Sequence, residues 1–154
     1  MFSLFPKKAI NYFSADEKER IRTAIHAAEK NTSGEVRVFM EHYCKHGDPV
    51  ARAAEVFHNL KMDGTADRNG TLIYIATSHK RLAIYADTGI YALVDKDFWQ
   101  NELHEMQVHF KKGAFADGLV NVIKEIGAKL TEHFPASEHV SKNEMPDELV
   151  FGKR

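Results

Sequence analysis

The run Thr71-Leu-Ile-Tyr-Ile-Ala76 limits the fold of this chain more than any other feature, because it is apolar, aromatic and β-branched throughout, without alternation. A strand wet on one face alternates polar with apolar residues, whereas an unbroken run of this kind needs cover on both faces. It therefore predicts a central strand with helices above and below. Thr77-Ser-His-Lys80 is a polar turn of hairpin length, so Arg81 to Ala86 predicts an antiparallel partner strand. Tyr91 to Val94 predicts a short further edge strand.

The helices needed for that cover are legible in the spacing. Ser14-Ala-Asp-Glu17 is a capping-box pattern, and Ile21, Ala24, Ile25 and Ala28 continue it as one apolar stripe until Ser33-Gly34 breaks it. Glu35 to Glu41 then alternates, with Val36, Val38 and Met40 on one face, as a strand does. Asp48-Pro49 starts a second helix, whose stripe of Val50, Ala53, Ala54, Phe57 and Leu60 ends near Asp63-Gly64. Asp95 or Asp97 caps a third, carrying Trp99, Leu103, Met106 and Phe110 and ending at Gly113. A fourth carries Leu119, Val122, Ile123, Ile126 and Leu130 and stops at Phe134-Pro135. The predicted order is α-β-α-β-β-α-α, and four amphipathic helices around a covered strand give a three-layer α/β/α sandwich on a small mixed sheet.

A chain of 154 residues with 44% hydrophobic residues and ten phenylalanines can bury one core. One domain is expected over residues 1–135, with 136–154 as a polar tail that lies against the surface or is partly disordered, apolar only at Met145 and Leu149-Val-Phe151. Twenty-one basic and 22 acidic residues leave a net charge of −1, which gives no broad field for a phosphate backbone and disfavours nucleic acid as a partner. The lone Cys44 cannot pair internally and suggests a reducing compartment, the cytoplasm. Lys7 and Lys8 cut the apolar start too short for a signal peptide, and no stretch approaches the ~20 apolar residues of a membrane span. A soluble, uninserted protein is expected.

The loop Asp63-Gly-Thr-Ala-Asp67-Arg-Asn69-Gly70 gathers oxygen donors just before the central strand. Calcium and magnesium prefer several carboxylate, amide and carbonyl oxygens, and loops can wrap such atoms around them. Arg68 stands where an EF-hand needs glycine and Tyr74 where it needs glutamate, so this is no EF-hand. Asp67 and Asn69 can equally serve turn hydrogen bonds. Asp67 precedes one hairpin strand and Asp87 follows the other, so both belong at the end opposite the Thr77–Lys80 turn. Two close carboxylates there call for a cation or proton between them. Alternatively, Arg68 pairs with Asp87 directly as a structural salt bridge. Asp95 is a weaker ligand candidate, with helix capping as its other role.

Other chemistry has thinner support. His42, Cys44 and His46 are zinc-type donors without a second cysteine, and an exposed loop explains them more simply. Glu105 and His109 are spaced as a solvated helical pair. Neither a Gly-x-Ser-x-Gly elbow nor a phosphate-loop or dinucleotide glycine pattern occurs.

Taken in order, Ser33-Gly-Glu-Val-Arg-Val38, Asn69-Gly-Thr-Leu-Ile-Tyr-Ile75, Ala83-Ile-Tyr-Ala-Asp-Thr-Gly-Ile90, Asp97-Phe-Trp99, Phe110-Lys-Lys-Gly-Ala-Phe115, Gly118-Leu119, His133-Phe-Pro135 and Asn143-Glu-Met-Pro-Asp-Glu148 resemble the TPM domain family. The chain looks like its small, non-secreted bacterial branch. The resemblance implies an α/β/α sandwich, divalent-cation binding in some members (calcium in particular), and an acid-phosphatase role in the plant thylakoid branch. Links to photosystem repair and membrane-receptor accessory functions also belong to the family. Many members carry Gly-x-Gly-x-Glu after the third strand, where this chain has Asp87 for the first glycine and Tyr91 for the glutamate, and Ala114 replaces a family aspartate. The acidic set is rearranged, with Asp87 as a replacement carboxylate.

Three functions follow as expectations. The first is a module binding a divalent cation, calcium before magnesium, through Asp67 and Asp87 with help from Asn69 or nearby carbonyls. The second is metal-assisted hydrolysis of phosphate monoesters, with Arg68 stabilising developing negative charge. The third is a metal-free protein-interaction module, with the tail as its contact segment.

Overall fold

A computed structural model describes residues 12–136 and the strand Val150–Phe151. The fold is the expected mixed α/β arrangement. Helix α1 (Ala15–Glu29) opens on the capping box, Ser14 Oγ accepting Glu17 N–H at 3.1 Å while Glu17 Oε1 accepts Ser14 N–H at 3.0 Å. Then come β1 (Glu35–Glu41), α2 (Pro49–Asn59), β2 (Gly70–Ala76), β3 (Arg81–Ala86), α3 (Thr88–Leu93), α4 (Lys96–Lys111), α5 (Phe115–His133) and β4 (Val150–Phe151). The sheet order is β3-β2-β1-β4.

Every residue of β2 is buried, as its composition predicts, and two separate apolar clusters lie on its two faces. Ile73 and Ile75 face the cluster supplied by α1, α4 and α5, while Leu72 and Tyr74 face the one supplied by α2. β2 runs antiparallel to β3, Thr71 opposite Ala86 and Ala76 opposite Arg81. Toward β1 it is parallel, with Glu35 opposite Gly70 and Glu41 opposite Ala76. That parallel register brings the segment preceding β1 beside the segment preceding β2.

Three features differ from expectation. Tyr91 to Val94 is not a strand: Thr88–Leu93 form α3, because Asp87 caps the first turn through Thr88 N–H and its carbonyl accepts Tyr91 N–H at 2.9 Å. β1 is buried on both faces, not one. Its polar face is tolerated because Glu41 is met by Arg52 of α2 (2.8 and 2.9 Å) and by the Tyr74 hydroxyl. Burial and that carboxylate push the Tyr74 phenol well above its ordinary pKa, and paired hydrogen bonds of this kind satisfy a charge inside a core. Lastly, Val150–Phe151 of the tail pairs in parallel with Phe39 and Met40. The Asn143–Glu148 motif, Met145 and the chain start at Met1–Pro6 lie outside the described residues.

Candidate functional site

The end of the sheet opposite the β2–β3 turn gathers Ser33, Asp67, Arg68, Asn69 and Asp87. A 3₁₀ turn at Met62–Gly64 leads into a tight loop in which Asn69 N–H donates to Thr65 Oγ1 (3.3 Å) and Arg68 N–H to Thr65 O (3.3 Å). Arg68 takes a left-handed conformation, φ 52°. Its carbonyl receives the N–H groups of Gly89 (2.8 Å) and Ile90 (3.3 Å), which seats the loop on the start of α3. Gly89 is required by this close approach: a Cβ there would stand 2.1 Å from Asp67 O and 2.6 Å from Arg68 O.

Both alternatives for the acidic pair can be compared with the geometry. Asp67 and Asp87 do emerge at the same sheet end. The Asp87 carboxylate, however, is already paired, accepting Arg68 Nε at 3.0 Å and Nη2 at 3.1 Å in a bidentate fork, with Thr88 N–H on Oδ1 at 2.7 Å. Asp87 is 4% exposed while the Arg68 side chain is 49% exposed, so a buried anion is held by a guanidinium that reaches in from solvent. The carboxylate, its hydrogen bond first, raises the Arg68 pKa.

Asp67 is exposed. Its Oδ2 accepts Ser33 Oγ–H at 2.8 Å, and Ser33 Oγ in turn accepts Asn69 Nδ2 at 3.0 Å. Asn69 is fully buried, and among the described residues its amide oxygen has no hydrogen-bond partner. A buried acceptor left in that state is costly, so its vacant lone pairs demand an explanation. Asp95 serves α4 as N-cap, accepting Asp97 N–H at 3.4 Å. Among the described residues no hydrogen bond or ion pair joins it to the Asp67–Asp87 end.

Ser33 is the member of this constellation that sequence spacing does not reveal. It becomes a neighbour of Asp67 and Asn69 only through the parallel register of β1 on β2, and a hairpin pattern carries no such information.

The remaining candidates separate from this end. His42 Nδ1 lies 3.4 Å from Thr77 Oγ1, and Cys44 Sγ turns toward Lys45 O at 3.8 Å. His109 Nδ1 meets Glu105 O at 2.9 Å within α4. Among the described residues no group of three or more His, Cys, Asp or Glu side chains is placed to hold a metal ion. A cation at the Asp67 loop would therefore need amide, hydroxyl or carbonyl oxygens as well as carboxylate. Of the described helices none is long and apolar enough to cross a membrane.

The profile of the TPM domain matches residues 7–129. None of the curated proteins compared with the chain matches it. Among solved structures, BA42 from the psychrophilic bacterium Bizionia argentinensis is 42% identical, with 92% of this chain and 96% of that one covered and a TM-score of 0.83. The N-terminal domain of a protein from P. gingivalis is 17% identical, covering 82% of this chain and 83% of that one at a TM-score of 0.65. An N-terminal domain from Corynebacterium glutamicum is 12% identical, covering 88% and 84% at 0.59. The last two speak to the fold alone. With the profile spanning most of its length and the ordered motifs in place, the chain belongs to the TPM domain family.

Proposed function

We propose that the protein is a TPM-domain module that binds a divalent cation at the Asp67 loop, with calcium favoured over magnesium. The observation carrying this reading is the buried amide oxygen of Asn69, without a hydrogen-bond partner among the described residues, on a side chain that Ser33 Oγ links to the Asp67 carboxylate. An all-oxygen set of one carboxylate, one amide and one hydroxyl suits a hard cation, and calcium tolerates irregular oxygen geometry better than magnesium does. The residues fit a loosely held ion rather than a tight one, since Asp87 reaches a metal only if Arg68 gives it up. In that sense Arg68 is a built-in cation, and added calcium competes with it for Asp87. A bound ion would supply positive charge and fix the 65–69 loop against α3. No reaction need follow.

Calcium titration followed by amide NMR tests this. Saturable shifts at residues 33, 67–69 and 87, lost in Asp67→Ala, are expected at millimolar calcium. A wild-type protein without them refutes cation binding.

The Arg68–Asp87 fork favours a second reading, a metal-free interaction module in which the ion pair is purely structural. Under it, calcium leaves the spectrum unchanged and binding activity lies elsewhere on the surface. Phosphate-monoester hydrolysis is a further step beyond cation binding. Turnover of a chromogenic phosphate ester that disappears in Asp67→Ala supports it, and turnover that survives assigns the activity to another site.

A further inference from the structure

Among the described residues β3 is an outer strand of the sheet with nothing paired on its far side, and that edge lacks the devices that keep such edges from pairing. From Leu82 to Ala86 there is no charge, no proline and, in the one-to-one register with β2, no bulge. The ladder fixes which backbone groups are free. Asp87 N–H donates to Gly70 O, so by antiparallel alternation residues 85, 83 and 81 bond to β2 while the N–H and C=O groups of Leu82, Ile84 and Ala86 point away from it. The opposite side of β2 agrees in parity, since Thr77 N–H reaches Glu41 O of the strand beyond.

The edge is also walled by apolar side chains. A groove of about 360 Å³ runs along Ile84, Tyr85 and Ala86. Val50 of α2 lines it from one helical layer and Tyr91 and Trp99 from the other. Val50 and Tyr91 are 62% and 49% exposed. Charge is polarised along the strand. Lys80 and Arg81, both exposed, stand at its start, whereas beyond its end the exposed Asp95 and Asp97 flank Lys96 at the start of α4, the helix whose Trp99 lines the groove; Asp87 itself is buried and paired with Arg68.

We propose that this edge pairs antiparallel with the same edge of a second copy of the chain, Ile84 opposite Ile84, joining two four-stranded sheets into one. In that register the outward groups of residue 82 meet those of 86 and residue 84 meets itself, so every free ladder group between Leu82 and Ala86 is bonded. The basic start of each strand then lies toward the acidic start of α4 in the other copy, and two-fold symmetry makes the match twice. A parallel partner copy would set basic start on basic start. The contact thus selects its own copy in one direction, and Tyr91 and Val50 close over the junction from both faces.

The test is sedimentation equilibrium of the full chain from about 10 μM to about 1 mM, the range for a contact of this modest size. Hydrogen exchange is measured alongside. The mass is expected to rise from 17.5 kDa toward twice that value as the amides of 82, 84 and 86 gain protection. Ile84→Lys sets two ammonium groups face to face at the axis and is expected to weaken association roughly tenfold or more. Because Ile84 is half-buried, Arg81→Glu at an exposed position provides an independent variant. It sets a carboxylate toward the acidic start of α4 in the other copy and weakens the dimer in low salt more than in high salt. A monomer at every concentration overturns the proposal. So does a dimer indifferent to both substitutions or one whose 82, 84 and 86 amides stay unprotected. Capture of a different protein's strand by a monomeric chain likewise overturns self-pairing.

Discussion

Replacing Gly89 with alanine is the sharpest perturbation of the candidate site that adds no charge. The new Cβ would sit 2.1 Å from Asp67 O and 2.6 Å from Arg68 O, both backbone atoms that no rotamer change can move aside. Ordinary contact requires about 1 Å more, so either the 67–68 segment or the first turn of α3 must shift by that amount. Overpacking of this kind costs about 1–3 kcal/mol. The shift also breaks the 2.8 Å bond from Gly89 N–H to Arg68 O, adding about 1 kcal/mol. The expected loss is therefore roughly 2–4 kcal/mol, or about 5–15 °C in Tm for a chain of this size. Gly64→Ala is the control, since nothing lies within 4 Å of a Cβ there, and it should stay within about 0.5 kcal/mol of wild type. Urea and thermal melts read both variants. Equal stability of Gly89→Ala and wild type refutes the seating of the loop on α3.

Glu102 on α4 is buried, and burial together with a hydrogen bond to the Glu125 carboxyl pushes its pKa from 4.5 up to about 8. The folded chain keeps a proton that the unfolded chain has lost, so this contribution is whole below about pH 4.5 and is lost as pH rises toward 8. At about 1.4 kcal/mol per pH unit, screened by solvent around exposed Glu125, the loss is on the order of 2–3 kcal/mol. Glu102→Gln should flatten the pH dependence of the urea midpoint and exceed wild type in stability at alkaline pH; an unchanged slope contradicts the pairing. Glu41→Ala removes two of the carboxylate bonds of Arg52, leaving it Glu55, and strands the Tyr74 hydroxyl, and should cost about 3 kcal/mol in chemical denaturation. Arg68→Gln leaves Asp87 without its cation, so calcium should bind roughly tenfold more tightly than to wild type, the effect of removing one adjacent like charge, as read by calorimetric titration.

Much of the architecture was legible because it rests on local chemistry. Thr71–Ala76 reads as a strand covered twice, and Ser14 with Glu17 reads as a helix start. Where tertiary contacts override propensity, local patterns mislead. Tyr91-Ala-Leu-Val94 has a β-rich composition, yet the Asp87 cap and the seat of Gly89 on Arg68 O wind it into α3. β1 seemed amphipathic because Arg37 and Glu41 are charged, but α2 brings Arg52 over its polar face and buries it. At the site, the placement of Asp67 and Asp87 at one end of the sheet followed from hairpin logic alone. The contribution of Ser33 depended on a parallel register that no local pattern encodes. The choice between an ion pair and a shared cation at Asp87 is a question of rotamers, and spacing leaves that open; in the folded chain Arg68 is the partner.

The most direct measurement of cation binding is a high-resolution crystal structure grown in saturating calcium. The account predicts an ion about 2.3–2.6 Å from Asn69 Oδ1 and from an Asp67 oxygen, with the Arg68 guanidinium loosened from Asp87. An Asn69 oxygen still without a neighbour, or bonded only to water, with the Arg68–Asp87 fork intact would contradict it.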